Sequence, residues 1–422
     1  AFSLLANGCG GSRRVISLSR DIVPSGGHGY ARYETDIASL SKGWDEGETT
    51  RIEGIFSRKD SLILVFEDGR DASKRTASGS GNTLEETITA VAAAAGYPQC
   101  GFSIIPSPVA GRNYVYVSLD EGADPDAEMD RFRKIDSVAD VYPNALIGRP
   151  AGTWEAPAAG EEPDGWAAEK INLPEYHEMT QVFERTVKVA ILDTGLDADH
   201  PGISGAASGS ASGETPGDIA WQGTFAAGII AGITENEAGD ANPMRGVAEG
   251  RILLLPAIAC NGMNQCPYSD VIAGLAAASG EGAEVLQVNL CAPASLPGFA
   301  DIIDESAAGR LVVAPACDSN EDASKYLPAA SEKVITVAAT TRDDARASES
   351  HWGAGNGSNY GDSVDVAAPG DGLISTLASG AGGEEYVLSK GTTFAAAYVA
   401  GLGALVLSTG EDFAPADARR II

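Results

Sequence analysis

VKVAILDTGLDADHP, residues 187–201, runs apolar for most of its first half and then turns at Asp193-Thr194-Gly195 into an acidic stretch. Its first half is the pattern of a strand buried on both faces, interrupted only by Lys188. Asp193 comes at the end of that strand, where parallel α/β sheets place ligands and chemistry. Working outward, strand-like apolar runs such as VLQVNL (285–290) and RLVVAPACDSN (310–320) alternate with Ala-rich helical runs such as GTTFAAAYVAG (391–401). From about Trp166 to Ile422 this alternation predicts an α/β domain, a central parallel sheet flanked by helices.

Upstream lies a smaller α+β pattern over 60–148. SLILVFEDG (61–69) reads as a strand closed by Gly. LEETITAVAAAAG (84–96) reads as a helix, with Thr83 as N-cap and Glu86 three residues on. FSIIP and NYVYVSL are two more strands, DPDAEMDRFRKI a second helix with Met129, Phe132 and Ile135 on one face, and VADVYPNALI a closing strand. The order β-α-β-β-α-β is the ferredoxin-like arrangement, which by itself fixes no function. RPAGTWEAPAAGEEPDG (149–165) reads as a linker. Residues 1–59 are polar and Gly-rich, with no assigned role.

The chain has 422 residues, enough for two or three domains, and a hydrophobic fraction of 44% that supplies a sizeable core. Formal net charge is −30 and no basic patch is present, which argues against a nucleic-acid partner. No apolar run reaches the roughly 18 residues of a spanning helix. AFSLLANGCGGS (1–12) resembles the end of a bacterial lipoprotein signal peptide cut at its front, which implies either lipid attachment at Cys9 or a plain apolar N-terminus. Six cysteines agree with export. Cys260 and Cys266 bracket NGMNQ, either as a small disulfide loop or as two thiols.

Four segments together resemble the subtilase family, the subtilisin-like serine peptidases. VKVAILDTGLDADHP matches the Asp motif D-T/S-G-x-D-x-x-H-P, and WQGTFAAGIIAG (221–232) aligns with the His motif H-G-T-H-V-A-G. RLVVAPACDSN aligns with the strand bearing the oxyanion Asn, and GTTFAAAYVAG with the Ser motif G-T-S-M-A-A-P-H-V-A-G. GVAEGRILLLPAIA (246–259) and SNYGDSVDVAAPG (358–370) agree as well, so the resemblance covers roughly 166–422. It implies a subtilisin-like fold. It also gives 60–148 a meaning, because subtilases are commonly made with a βαββαβ propeptide that covers the cleft.

The chemistry that the resemblance implies is depleted. Asp193 is retained, but the His position holds Gln222, the oxyanion Asn position Asp318 and the Ser position Thr393. An amide cannot take and return a proton, so Thr393 has no base. An ionised Asp318 offers no N–H to an oxyanion, and loss of one such donor typically costs about 2.7–4 kcal/mol. Phe225 replaces a second His, and Ala397-Tyr398 replace Pro-His. Of the four histidines, His200 belongs to the Asp motif, His351 lies in an inserted HWGAGNG loop, and His28 and His177 lie outside the motifs.

The walls of the substrate pocket correspond to Asn289-Leu290-Cys291-Ala292 and Ala316-Cys317-Asp318, where Cys291 and Cys317 replace glycines. The two cysteines either fill the slot as a disulfide or narrow it as thiols. Gly202 stands where family members often carry a calcium ligand, so neither a metal nor a cofactor is expected. Two readings stay open. One is an exported pseudopeptidase with a binding or scaffolding role toward a peptide or protein ligand, its own propeptide permanently attached and docked. The other is an active endopeptidase using Thr393 with a non-standard base. The chain ends at ADARRII in what reads as a helix, as a fragment with further domains would.

Overall fold

A computed structural model describes residues 49–52, 55–67, 83–97, 101–150, 153–157, 165–175, 185–203, 206, 218, 220–233, 245–250, 252–260, 265–379, 381–382, 385–410 and 413–422. The readings of Cys9, His28 and His177 lie outside these residues. Strands β1 (Thr49–Ile52) and β2 (Ile55–Glu67) are followed by α1 (Leu84–Ala95), β3 (Phe102–Ile105), β4 (Arg112–Ser118), α2 (Pro125–Phe132) and β5 (Asp140–Gly148). The strands lie in the order β3-β4-β2-β5, all antiparallel, with β1 paired to β2. The strand expected to begin at Ser61 already begins at Ile55. Thr83 and Glu86 close the capping box that starts α1, and Gly96 ends the helix in the left-handed region at φ 69°.

The second unit carries β6 (Trp154–Glu155), α3 (Trp166–Lys170), β7 (Val187–Asp193), α4 (Gln222–Ala231), β8 (Ile252–Ile258), β9 (Gln265–Pro267) and α5 (Tyr268–Gly280). It continues through β10 (Val285–Val288), β11 (Ala292–Pro293), α6 (Phe299–Ser306), β12 (Leu311–Pro315), β13 (Tyr326–Leu327), β14 (Val334–Thr340) and α7 (Glu349–Trp352). The last elements are β15 (Val366–Pro369), β16 (Leu373–Thr376), β17 (Tyr386–Ser389), α8 (Thr392–Ser408) and α9 (Pro415–Ile421). Six parallel strands in the order β15-β14-β12-β10-β7-β8 form the central sheet. Alternate residues of each strand face opposite layers. Val187, Val189, Ile191, Val285 and Val313 pack with Phe225, Ile229 and Phe394 of α4 and α8, while Ala190, Leu192, Leu286 and Val288 pack with Val271, Leu275 and Ile302 of α5 and α6.

The two units share a core. On β2, Leu62, Leu64 and Phe66 face α1 and α2, whereas Ile63 and Val65 face α5 and α6 of the larger unit. That is why SLILVF reads as one apolar run rather than an alternation: both faces of the small sheet are covered. Tyr142 stacks on Tyr268 with ring centroids 6.1 Å apart, and Asn144 Oδ1 accepts the Ser269 N–H at the start of α5. β5 extends its own sheet onto β9, pairing Leu146 with Pro267 and Ile147 with Cys266. Among the described residues no helix is long and apolar enough to cross a membrane.

Candidate active site

Three polar side chains stand at the C-terminal ends of neighbouring strands: Asp193 closes β7, Asn289 follows β10, and Asp318 follows β12. Helices α4 and α8 bring Gln222 and Thr393 to the same end of the sheet by their N-termini. The approach of α4 to the Asp193 turn is close enough to require glycine. A Cβ on Gly223 would lie 1.9 Å from the Gly195 carbonyl oxygen. Asp218 ties the two together, accepting from the Thr194 hydroxyl at 2.6 Å and from the backbone N–H groups of Ala220, Trp221 and Thr224. It thereby satisfies donors that the first turn of α4 would otherwise leave open.

The centre of the site is a side chain that the sequence reading left in a linker. Arg149, 3% exposed, donates from Nη1 to Asp193 Oδ1 at 2.7 Å and from Nη2 to Gln222 Oε1. Asn289 Nδ2 donates to the other Asp193 oxygen at 2.9 Å, and the Thr194 N–H donates to Oδ1 at 2.8 Å. Burial pushes the Asp193 carboxyl up, and the Arg149 guanidinium beside it opposes that shift. A guanidinium keeps its proton in proteins, so the pair is a buried ion pair with Asp193 ionised. Gln222 accepts from the same cation.

Arg149 reaches this point because the backbone before and after it is paired to other strands. Before it, β5 pairs with β9 on one side, while Gly148 accepts the Cys291 N–H at 2.7 Å on the other. After it, Trp154 and Glu155 of β6 pair with Ser389 and Leu388 of β17, and the Ser389 hydroxyl donates to the Thr153 carbonyl at 2.9 Å. The stretch expected to be a plain linker is therefore docked at Arg149–Pro150 and again at 153–155. Backbone pairing to two sheet edges outweighs its turn-rich composition.

Asp318 turns toward α8. Its Oδ1 accepts the Thr392 N–H at 3.0 Å and the Thr392 hydroxyl at 2.7 Å, and burial pushes its carboxyl up to about 6. Thr393 is buried, its carbonyl accepts from Gln287 Nε2 at 2.9 Å, and its hydroxyl has no hydrogen-bond partner. Cys291 and Cys317 are disulfide-bonded with Cα atoms 6.1 Å apart, joining the segment after β10 to the segment after β12, where Leu290, Ala292 and Ala316 are fully buried. Cys260 and Cys266 are bonded too, tying β9 to the chain just past the end of β8.

The described histidines serve the scaffold. His200 accepts the Gly202 N–H at Nδ1, bonds the Glu385 carbonyl through Nε2 at 3.0 Å and packs edge-on to Tyr386. His351 accepts the Ser348 N–H at the surface. Arg149 and Asp218 were not singled out from the sequence. Arg149 carried one signal, being the sole cation of its acidic Pro/Gly-rich stretch and standing directly after the last strand.

A parallel α/β domain with buried polar side chains converging at the carboxyl ends of its strands has the arrangement in which α/β folds place their ligand sites. The subtilase family model matches residues 184–422, and the chain belongs to the subtilase family. It is 33% identical over 230 residues to a thermophilic serine proteinase of Bacillus sp. (strain AK1), covering 53% of each chain. It is 30% identical over 253 residues to thermitase of Thermoactinomyces vulgaris, covering 58% of this chain and 83% of that one. With subtilisin E of Bacillus subtilis (strain 168) identity is 31% over 241 residues, 55% of this chain and 58% of that one. The chain thus spans little more than half the length of two of these relatives.

Proposed function

We propose that this chain is a subtilisin-like homologue that does not hydrolyse peptides. It keeps residues 60–148 covalently attached as a propeptide-like cover and acts by binding or scaffolding. The observation that carries this reading is Arg149 seated between Asp193 and Gln222. A base at position 222 would have to exchange a proton with residue 393. Gln222 is an amide whose oxygen is engaged by a cation, and the Thr393 hydroxyl has no acceptor to receive its proton. Asp318 presents a carboxyl rather than an amide where oxyanion stabilisation would be needed, and it is turned to Thr392. The rival, an active endopeptidase using Thr393, draws no support from this geometry.

Because Arg149 occupies Asp193 and Gln222, partner contacts in this reading fall to the outer surface, where the net charge of −30 favours a basic or mixed-charge protein. The disulfides Cys260–Cys266 and Cys291–Cys317 support an exported setting. The test is incubation of purified protein with casein and with a fluorophosphonate probe, alongside intact-mass analysis. No hydrolysis, no labelling and a single uncut mass are expected. Casein hydrolysis abolished by Thr393→Ala would overturn the reading.

A further inference from the structure

We infer that Asp193 and Gln222 form a guanidinium receptor. Its resident ligand is Arg149, and its occupation latches residues 146–150 against β9 and Cys291. The chemistry of the acceptors points there. Arg149 donates to a carboxylate oxygen of Asp193 and to the amide oxygen of Gln222, so both side chains present an acceptor to the same buried group. Two acceptors buried together repel unless a species with several N–H donors sits between them. A guanidinium is such a species: planar, permanently charged, with its donors fixed in a fork.

The receptor is itself held rigid. Asn289 Nδ2 and the Thr194 N–H fix both oxygens of Asp193, and Asp218 fixes the turn on which Gln222 begins its helix. On either side of Arg149 the backbone is held by sheet pairing, at Gly148 by Cys291 and at Trp154 by Ser389. The cation therefore sits in the middle of a strap fixed at both ends, and loss of its charge leaves a buried carboxylate without a counter-ion. Lysine, with one point of charge, cannot span two acceptors in the same way.

The experiment is chemical rescue. Arg149→Ala is expected to lower the melting temperature by about 5–15 °C. Low-millimolar guanidinium chloride, far below denaturing concentrations, is then expected to recover part of that loss, where equal sodium chloride recovers none. Wild type and the Arg149→Ala/Asp193→Asn double variant should show no such gain. Arg149→Lys should fall between wild type and Arg149→Ala. If Arg149→Ala does not fold, refolding yield with guanidinium against sodium is the readout, and only guanidinium should raise it. An unchanged melting temperature in Arg149→Ala, rescue equal with both salts, or rescue that survives Asp193→Asn overturns the inference. The latch rests on the reading of an uncut junction, and intact mass on the same samples reports that separately. A cut chain defeats that reading, while guanidinium-specific rescue still establishes the receptor.

Discussion

At residue 318 the structure places a carboxyl where burial outweighs its hydrogen bonds, so the folded protein holds that proton more tightly than the unfolded chain does. The group is pushed up to about 6 from 3.8, which sets the sign. Stability from this group is greatest below the unfolded value and is lost as pH rises through 4 to 6, by up to about 3 kcal/mol. The α8 N-terminus, favouring negative charge, reduces that figure. Asp318→Asn keeps an oxygen for the Thr392 N–H and hydroxyl and removes the charge. It is expected to stabilise the protein by about 1–3 kcal/mol at pH 7.5 and by much less at pH 4. Urea unfolding at both pH values measures it; an equal difference at the two pH values would rule out a titrating Asp318 as the cause.

At the scale of elements, the seam between the units depends on a close approach. Gly298, at φ 71°, precedes α6, and a Cβ there would lie 2.4 Å from the Tyr142 ring. Gly298→Ala should push Tyr142 off Tyr268 and cost about 1–3 kcal/mol, read as a lower midpoint in denaturant. Tyr142→Leu in the same chain should recover part of the loss, because the clash is with the ring. An unaltered midpoint in Gly298→Ala would show that the seam has slack. The disulfide Cys260–Cys266 closes a short loop beside β9. Its removal in Cys260→Ser/Cys266→Ser should cost about 2 kcal/mol by loop entropy. Thermal unfolding of the oxidised parent and the variant compares them.

At the scale of the whole molecule, the larger unit carries the smaller one on a shared core and through the pairing of β5 with β9. Cutting the chain between Glu155 and Trp166 with an added glutamyl protease should therefore leave the two fragments together. They are expected to co-elute on gel filtration, and to separate more readily in Arg149→Ala. Separation of the wild-type fragments immediately after the cut would mean that covalent attachment alone holds the units together.

Much of this was legible in the residues. Hydrophobic period gave the βαββαβ unit and the parallel sheet, because local pattern follows which faces are buried, and motif order gave the family. Gln222, Asp318 and Thr393 were equally plain as identities, and their reading as replacements is what the family resemblance implies. The tertiary structure alone decided what stands against Asp193. Arg149 and Asp193 lie far apart in sequence, and their meeting depends on backbone pairing of β5 to β9 and β6 to β17, which leaves no periodic signal in a Pro- and Gly-rich stretch. From the sequence, Asp193 is expected to be without an imidazole partner. Only the folded chain shows that a guanidinium stands against it, because a buried carboxylate must find its counter-charge wherever the fold can deliver one.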